Sequence, residues 1–179
     1  MLFVEATAFP GDGKMQITGQ LGDVMKESAA AAFSWAKGNV DAPEDWFSTH
    51  DVHVHVPAGA IPKDGPSAGV AMATALTSLI TGKLARADTA MTGEITLVGQ
   101  VLPIGGLKEK ALAAQQAGIK RVVAPAQNEP DIDDIPEHLR KKIEFIFVDD
   151  LNKALAETLE PPRTNGRPAA KKRKAAPRR

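Results

Sequence analysis

Apolar positions recur along the chain at two different spacings. From Asp51 to Val56 they alternate strictly, with Val52, Val54 and Val56 on one side and His53 and His55 on the other. A period of two predicts a strand with one buried face. From Asp23 to Lys37, Val24, Met25, Ser28, Ala32 and Trp35 can share one helical stripe, and Gly38–Asn39 follow as a stop. Two further helices are predicted: Ser67 to Ile80, small and apolar and ended by Gly82, and Leu107 to Ala117, ended by Gly118. A last helix spans Asp149 to Leu159, with Asp149 or Asp150 as its N-cap.

The remaining apolar runs read as strands. Leu2 to Ala8 and Lys14 to Thr18 flank the turn signal Pro10–Gly11–Asp12–Gly13. Ile95–Val98 and Val101–Ile104 flank Gly99–Gln100 as a hairpin, and Arg121–Ala124 and Ile143–Val148 complete the set. Asp41 to His50 is a polar connection, and Pro57 to Pro66 is a loop rich in Gly and Pro. Helices and strands interleave without a regular βα repeat. The expected class is therefore mixed α/β (α+β), not a doubly wound nucleotide fold.

Charge divides the chain where the pattern stops. The formal net charge is zero, but residues 161–179 hold eight basic residues and no acidic one. Residues 1–160 are left with 14 Lys and Arg against all 22 Asp and Glu. The expected organisation is a domain over 1–160 followed by a Pro/Ala-rich basic tail over 161–179 that is disordered. Such a tail is most simply a solvated segment, and Lys171–Lys172–Arg173–Lys174 with Arg178–Arg179 also fit binding of DNA or another polyanion through phosphate contacts. No apolar run reaches the ~18 residues of a membrane span, and no signal-peptide pattern opens the chain. With no cysteine, disulfides, a Cys nucleophile and Cys-ligated zinc are excluded. A cytoplasmic protein is expected.

The chemistry centres on Pro62–Lys63–Asp64–Gly65–Pro66–Ser67–Ala68–Gly69. A serine where a tight loop enters a helix faces unpaired N–H groups and the positive end of the helix dipole, which suit an oxyanion. Gly65 and Gly69 would let a substrate backbone approach. On position alone the serine reads as a plain N-cap, which is what most serines before a helix are. Gly65–Pro66–Ser67–Ala68–Gly69 also fits the G-x-S-x-G elbow, but that motif needs a preceding strand, and Pro57, Pro62 and Pro66 stand there. A serine hydroxyl needs a base. His53 and His55 are candidates, with Asp64 to orient one of them, although the spacing is compact for a triad; the same pair could ligate a metal, without a third ligand motif. Lysine is the other option, provided its amine is neutral. Lys110 shares a helical face with Leu107, Ala111 and Ala114, while Lys63 lies close to Ser67 in sequence. The residues alone leave these alternatives open.

Several segments together closely resemble the proteolytic domain of the Lon family of ATP-dependent proteases. They are His53–Val54–His55–Val56–Pro57, Pro62 to Gly69, Arg86–Ala87–Asp88, Met91–Thr92–Gly93–Glu94–Ile95–Thr96–Leu97, and Gly99 through Lys110. The resemblance runs in order over residues 1–160. It implies that Ser67 is the nucleophile and Lys110 the base, that Thr92 bonds the lysine amine, and that His55, Asp64 and Gly65 neighbour the site. Ala58 and Val98 depart from the family pattern, which often has Glu and a basic residue there.

What the resemblance implies about function is an endopeptidase acting on unfolded or damaged polypeptides in protein quality control, assembled as a hexameric ring. No cofactor or metal is expected in this domain. ATP and Mg belong to an AAA+ ATPase region for which no G-x-x-x-x-G-K-[ST] loop is found here, so the chain is expected to be an excised domain. The alternative is a non-peptidase scaffold of the same fold whose tail binds nucleic acid.

Overall fold

The alternating segment becomes the centre of the first sheet. The computed structural model describes residues 1–57 and 59–160; the basic tail and Ala58 lie outside the described residues. Strand β3 (His50–His55) pairs antiparallel with β1 (Glu5–Pro10) and parallel with β2 (Met15–Thr18), in the order β1–β3–β2. Val52, Val54 and Val56 are fully buried, and His53 and His55 are half-buried on the other side. The first strand starts three residues later than its apolar run. Glu5 pairs with His55, the last residue of β3, so residues 1–4 have no further β3 partner to extend the ladder.

Helix α1 (Asp23–Asn39) buries Met25, Ser28, Ala29, Ala32, Phe33, Trp35 and Ala36, and its apolar side chains share one core with the valines of β3. Val24 is exposed: the buried stripe runs through Met25 and Ala29, and Val24 falls at its edge. The polar connection holds a short helix, α2 (Trp46–Thr49), with the Trp46 and His50 rings stacked 5.1 Å apart. A 3-10 turn (Pro66–Ala68) leads into α3 (Gly69–Thr81), which ends at Gly82 in the left-handed region. Leading with Pro66 suits the first turn of a helix, where an N–H would have no intrahelical partner.

A second, all-parallel sheet has the order β4–β7–β8, from β4 (Thr89–Met91), β7 (Arg121–Pro125) and β8 (Glu144–Val148). Its middle strand is buried on both faces, as an unbroken Val122–Val123–Ala124 run requires. Val123 joins the larger core with α3 and α6 (Leu151–Thr158). Val122 and Ala124 join a smaller core with α4 (Leu107–Gln116), α5 (Glu137–Arg140) and the 3-10 segment Ala126–Asp134. This last segment and α5 carry no apolar periodicity and are absent from the sequence reading.

The predicted hairpin shrinks to β5 (Glu94–Ile95) and β6 (Val101–Leu102). Gly99 is left-handed at φ 86°, and a Cβ there would lie 2.7 Å from the Trp35 indole nitrogen. Leu97 and Val98 are left exposed at the tip. Helix α6 is capped as expected by Asp150, whose carboxylate accepts from the Asn152 N–H at 2.8 Å. The architecture is mixed α/β, and among the described residues no helix is long and apolar enough to cross a membrane.

Candidate active site

The loop before Ser67 is built by its polar side chains. The Lys63 amine is buried and donates to the carbonyls of Gly19 (2.8 Å) and Val56 (3.5 Å), which ties the loop to the ends of β2 and β3. The Gly22 N–H donates to the Lys63 carbonyl at 2.7 Å. Helix α1 starts at Gly22, which has no side chain to cap it. Asp64 does so from the loop instead: its Oδ1 accepts from the N–H of Met25 (2.9 Å) and of Gly65 (2.9 Å). A Cβ on Gly22 would fall 2.3 Å from the Asp64 carboxyl carbon, so this cap requires glycine. Gly65 has φ 123° and ψ 158°, a region that glycine alone adopts readily.

Ser67 is then fixed through its backbone. Its carbonyl accepts from the Gly93 N–H at 2.9 Å and from the Thr92 hydroxyl at 3.2 Å. The Thr92 N–H in turn donates to the Val123 carbonyl of β7 at 3.0 Å. From the other side, the Ser28 hydroxyl of α1 donates to the Pro66 carbonyl at 3.4 Å. Gly69 admits a close approach by the chain itself: a Cβ there would sit 2.9 Å from Ile95 and 3.1 Å from the Ser28 hydroxyl.

Lys110 arrives from the smaller core. Leu107, Ala111 and Ala114 are buried, Lys108 and Glu109 are exposed, and Lys110 lies between these extremes, as the helical face predicts. The start of α4 is set by Gly106 (φ 72°) and by Asn128. The buried Asn128 amide pairs with both backbone groups of Ile104, accepting from its N–H at 3.0 Å and donating to its carbonyl at 2.8 Å. The Lys110 Nζ is thereby placed 3.2 Å from the Ser67 Oγ, across 43 residues of sequence. That distance is within reach for proton transfer between a nucleophile and its base.

Ser67, Thr92 and Lys110 line a cleft of about 740 Å³ between residues 1–4, α3, residues 85–92 and α4. The walls of the cleft are mostly small or apolar. His55, Asp64 and Gly65 do not line it. His55 bonds Thr18, Asp64 caps α1, and Gly65 shapes the loop. Lys63 is engaged with backbone carbonyls. The Thr92 hydroxyl bonds the Ser67 carbonyl, where the resemblance had assigned it to the lysine.

Two charged side chains at the cleft were given no role by sequence. Glu109 neighbours Lys110 on α4, and Arg86 lies on the opposite wall. Arg86 is paired with Asp88 at 2.9 Å. The guanidinium, helped by the Thr89 hydroxyl, holds the Asp88 carboxyl below the usual range, and the carboxylate raises Arg86 in return. Ser28 and Asn128 were also missed as supports of the site. Ser28 stood on the predicted stripe of α1, but a lone Asn carries no signal. Among the described residues no group of three or more His, Cys, Asp or Glu is placed to hold a metal ion.

Residues 1–161 match the family described as the Lon protease (S16) C-terminal proteolytic domain. The chain is 56% identical over 187 residues to a Lon protease of Geobacter metallireducens, covering 100% of this chain and 23% of that protein. It is 53% identical over 180 residues to a Lon protease of Anaeromyxobacter dehalogenans, covering 99% and 21%. A Lon protease of Methylocella silvestris is 54% identical over 163 residues, covering 89% and 20%. The chain thus spans about a fifth of the length of the curated relatives it matches. By this match over nearly all of its described residues, the chain belongs to the Lon protease C-terminal proteolytic domain family, a family of serine peptidases.

Proposed function

We propose that the domain is an endopeptidase that cuts unfolded or damaged polypeptides with Ser67 as nucleophile and Lys110 as base. The carrying observation is the 3.2 Å contact between Nζ and Oγ inside the cleft. The neutral amine of Lys110 takes the Ser67 proton as the oxygen attacks a peptide carbonyl. Backbone N–H groups of the helical turn around Ser67 stabilise the oxyanion. Lys110 then protonates the leaving amine, and water hydrolyses the acyl-enzyme. Thr92 and Gly93 hold the Ser67 carbonyl and so fix the direction of Oγ.

We infer that in a longer protein this cleft would be fed by an ATPase region that binds ATP and Mg, in a cytoplasmic hexameric ring. The sequence of this chain has no phosphate-binding loop, so ATP should not change its rate. Residues 161–179 remain a candidate polyanion-binding tail, tested by salt-dependent DNA binding before and after their deletion. Hydrolysis of a fluorogenic peptide and of unfolded casein tests the central reading. The expected result is slow cleavage by the wild type and none by Ser67→Ala or Lys110→Ala, each folded by circular dichroism. Wild-type rates in either variant would overturn it.

A further inference from the structure

Away from the cleft, three side chains converge on the open face of the first sheet. His53 and His55 are two residues apart on β3, and their faces are set by the burial of Val52, Val54 and Val56. Thr18 is the parallel register partner of His55. Its hydroxyl oxygen lies 2.8 Å from the His53 Nε2 and 2.7 Å from the His55 Nδ1. One hydroxyl has one proton, so it can donate to only one ring, and the other ring must donate to it. Two imidazole nitrogens thus address a single point from different sides, with the rings edge-to-face at 6.3 Å.

That arrangement is a chelate in waiting. Imidazole nitrogen favours divalent transition ions of the copper, nickel and zinc class. Both rings are half-buried on a sheet face that presents polar side chains, so water can fill the remaining coordination positions. Metal–nitrogen bonds of ~2.0–2.1 Å are shorter than the 2.8 and 2.7 Å contacts with the hydroxyl, so the rings must turn toward the ion and the Thr18 oxygen must yield its place between them. Side-chain rotation supplies this without moving the strand.

We propose that His53 Nε2 and His55 Nδ1 form a two-imidazole site for a divalent transition ion, which Thr18 pre-orders in the metal-free chain. The site is separate from the cleft, whose walls include neither histidine. The chain's other two histidines are natural controls. His50 is on the same strand at the opposite parity, with Nδ1 against the Trp46 carbonyl at 3.0 Å and its ring stacked on Trp46. His138 lies on α5.

The test is calorimetric titration of the full 179-residue chain with Zn²⁺. One site is expected, weakened at least tenfold by His53→Ala and by His55→Ala and unchanged in His50→Ala and His138→Ala. Since a variant can lose fold for other reasons, a second reading uses the wild type alone. Substoichiometric Cu²⁺ should broaden the imidazole NMR signals of His53 and His55 first. Ser67→Ala should bind as the wild type does. Zn²⁺ binding that survives loss of both His53 and His55, no site at all up to millimolar ion, or first broadening at His50 or His138 would each overturn the proposal.

Discussion

The proposed nucleophile and the proposed base are carried by two different cores. Ser67 enters α3, which is packed with α1, α6 and both sheets in the larger cluster around Val54, Met72 and Leu76. Lys110 rides on α4, which rests on the far face of the second sheet in a smaller cluster of Leu107, Ala111, Val122 and Ile135. Strand β7 is the partition, giving Val123 to one side and Val122 and Ala124 to the other. The contrast is also one of restraint. The Ser67 loop is held by at least five hydrogen bonds that reach it from α1, β2, β3 and the turn after β4. The segment leading to Lys110 depends on apolar burial and on the paired contacts of Asn128. A proton-transfer distance between the two therefore measures how well the two cores are docked.

The sharpest way to break this arrangement is to leave the geometry and remove the proton acceptor. Lys110→Arg keeps a long cation but cannot offer a neutral nitrogen. Peptide hydrolysis should fall by ~10³-fold or more, as deeply as in Lys110→Ala, while thermal stability stays near that of the wild type. Recovery of substantial activity in the arginine variant would show that the lysine acts as a charge and not as a base.

Weakening the smaller core is the next largest perturbation. Leu107→Ala removes a fully buried side chain one turn from the base and should cost about 2–5 kcal/mol. Denaturant titration would measure it, and Leu76→Ala in the larger core should cost a similar amount. If the two cores are one cooperative unit, the fluorescence of Trp35 and Trp46, both packed in the larger core, and far-UV circular dichroism should move together in both variants. Separate transitions would mean that the base-bearing half can loosen alone.

Smaller effects should come from the restraints on Ser67. Thr92→Val keeps the volume and removes the hydroxyl donor to the Ser67 carbonyl, leaving the Gly93 N–H in place. One hydrogen bond of about 1 kcal/mol predicts a drop of roughly fivefold in kcat with little change in KM. Thr92→Ser should restore most of it. Asp64→Ala removes the cap from α1 and should lower stability by about 1 kcal/mol, with a lesser effect on rate. An effect on rate as large as that of Lys110→Ala would place Asp64 in the chemistry itself.

The smallest effect is electrostatic. The folded Asp88 carboxyl is held below its ordinary value of 3.8, chiefly by the Arg86 hydrogen bond and then by Thr89. The group therefore stabilises the fold above that ordinary value, and this contribution is lost as pH falls through the lower folded value. Asp51, held down by the Lys14 and Asp12 N–H groups across the first turn, behaves in the same sense. Thermal melts of Asp88→Asn should lie slightly below the wild type near neutral pH and converge with it in strong acid. Both groups are open to solvent screening, so added salt should narrow the gap.

Much of the fold was legible because local period and burial agree. The alternation at 51–56, the lysine's place on the α4 stripe, the left-handed glycines after α3 and α4 and the Asp150 cap all follow from neighbours in sequence. The 3-10 segment at 126–134 and α5 were not legible, since backbone bonds and a few contacts shape them without an apolar period. Val24 and the two ends of the hairpin were misjudged because burial depends on what an element meets. The long loop before Ser67 gave no sign that Lys63 and Asp64 serve the backbone.

Sequence by itself determined the main strands and helices, the candidate nucleophile and, through a resemblance running over residues 1–160, its proposed pairing with Lys110. Periodicity could not make that pairing, because a contact spanning 43 residues has no local signature. Only the tertiary structure decided that one face of the second sheet would carry the base and the opposite core the serine, that the Thr92 hydroxyl would hold the Ser67 carbonyl, and that one threonine oxygen would sit between two imidazoles. These are consequences of packing. Each depends on where a strand or helix stops against its neighbour, which no residue specifies alone.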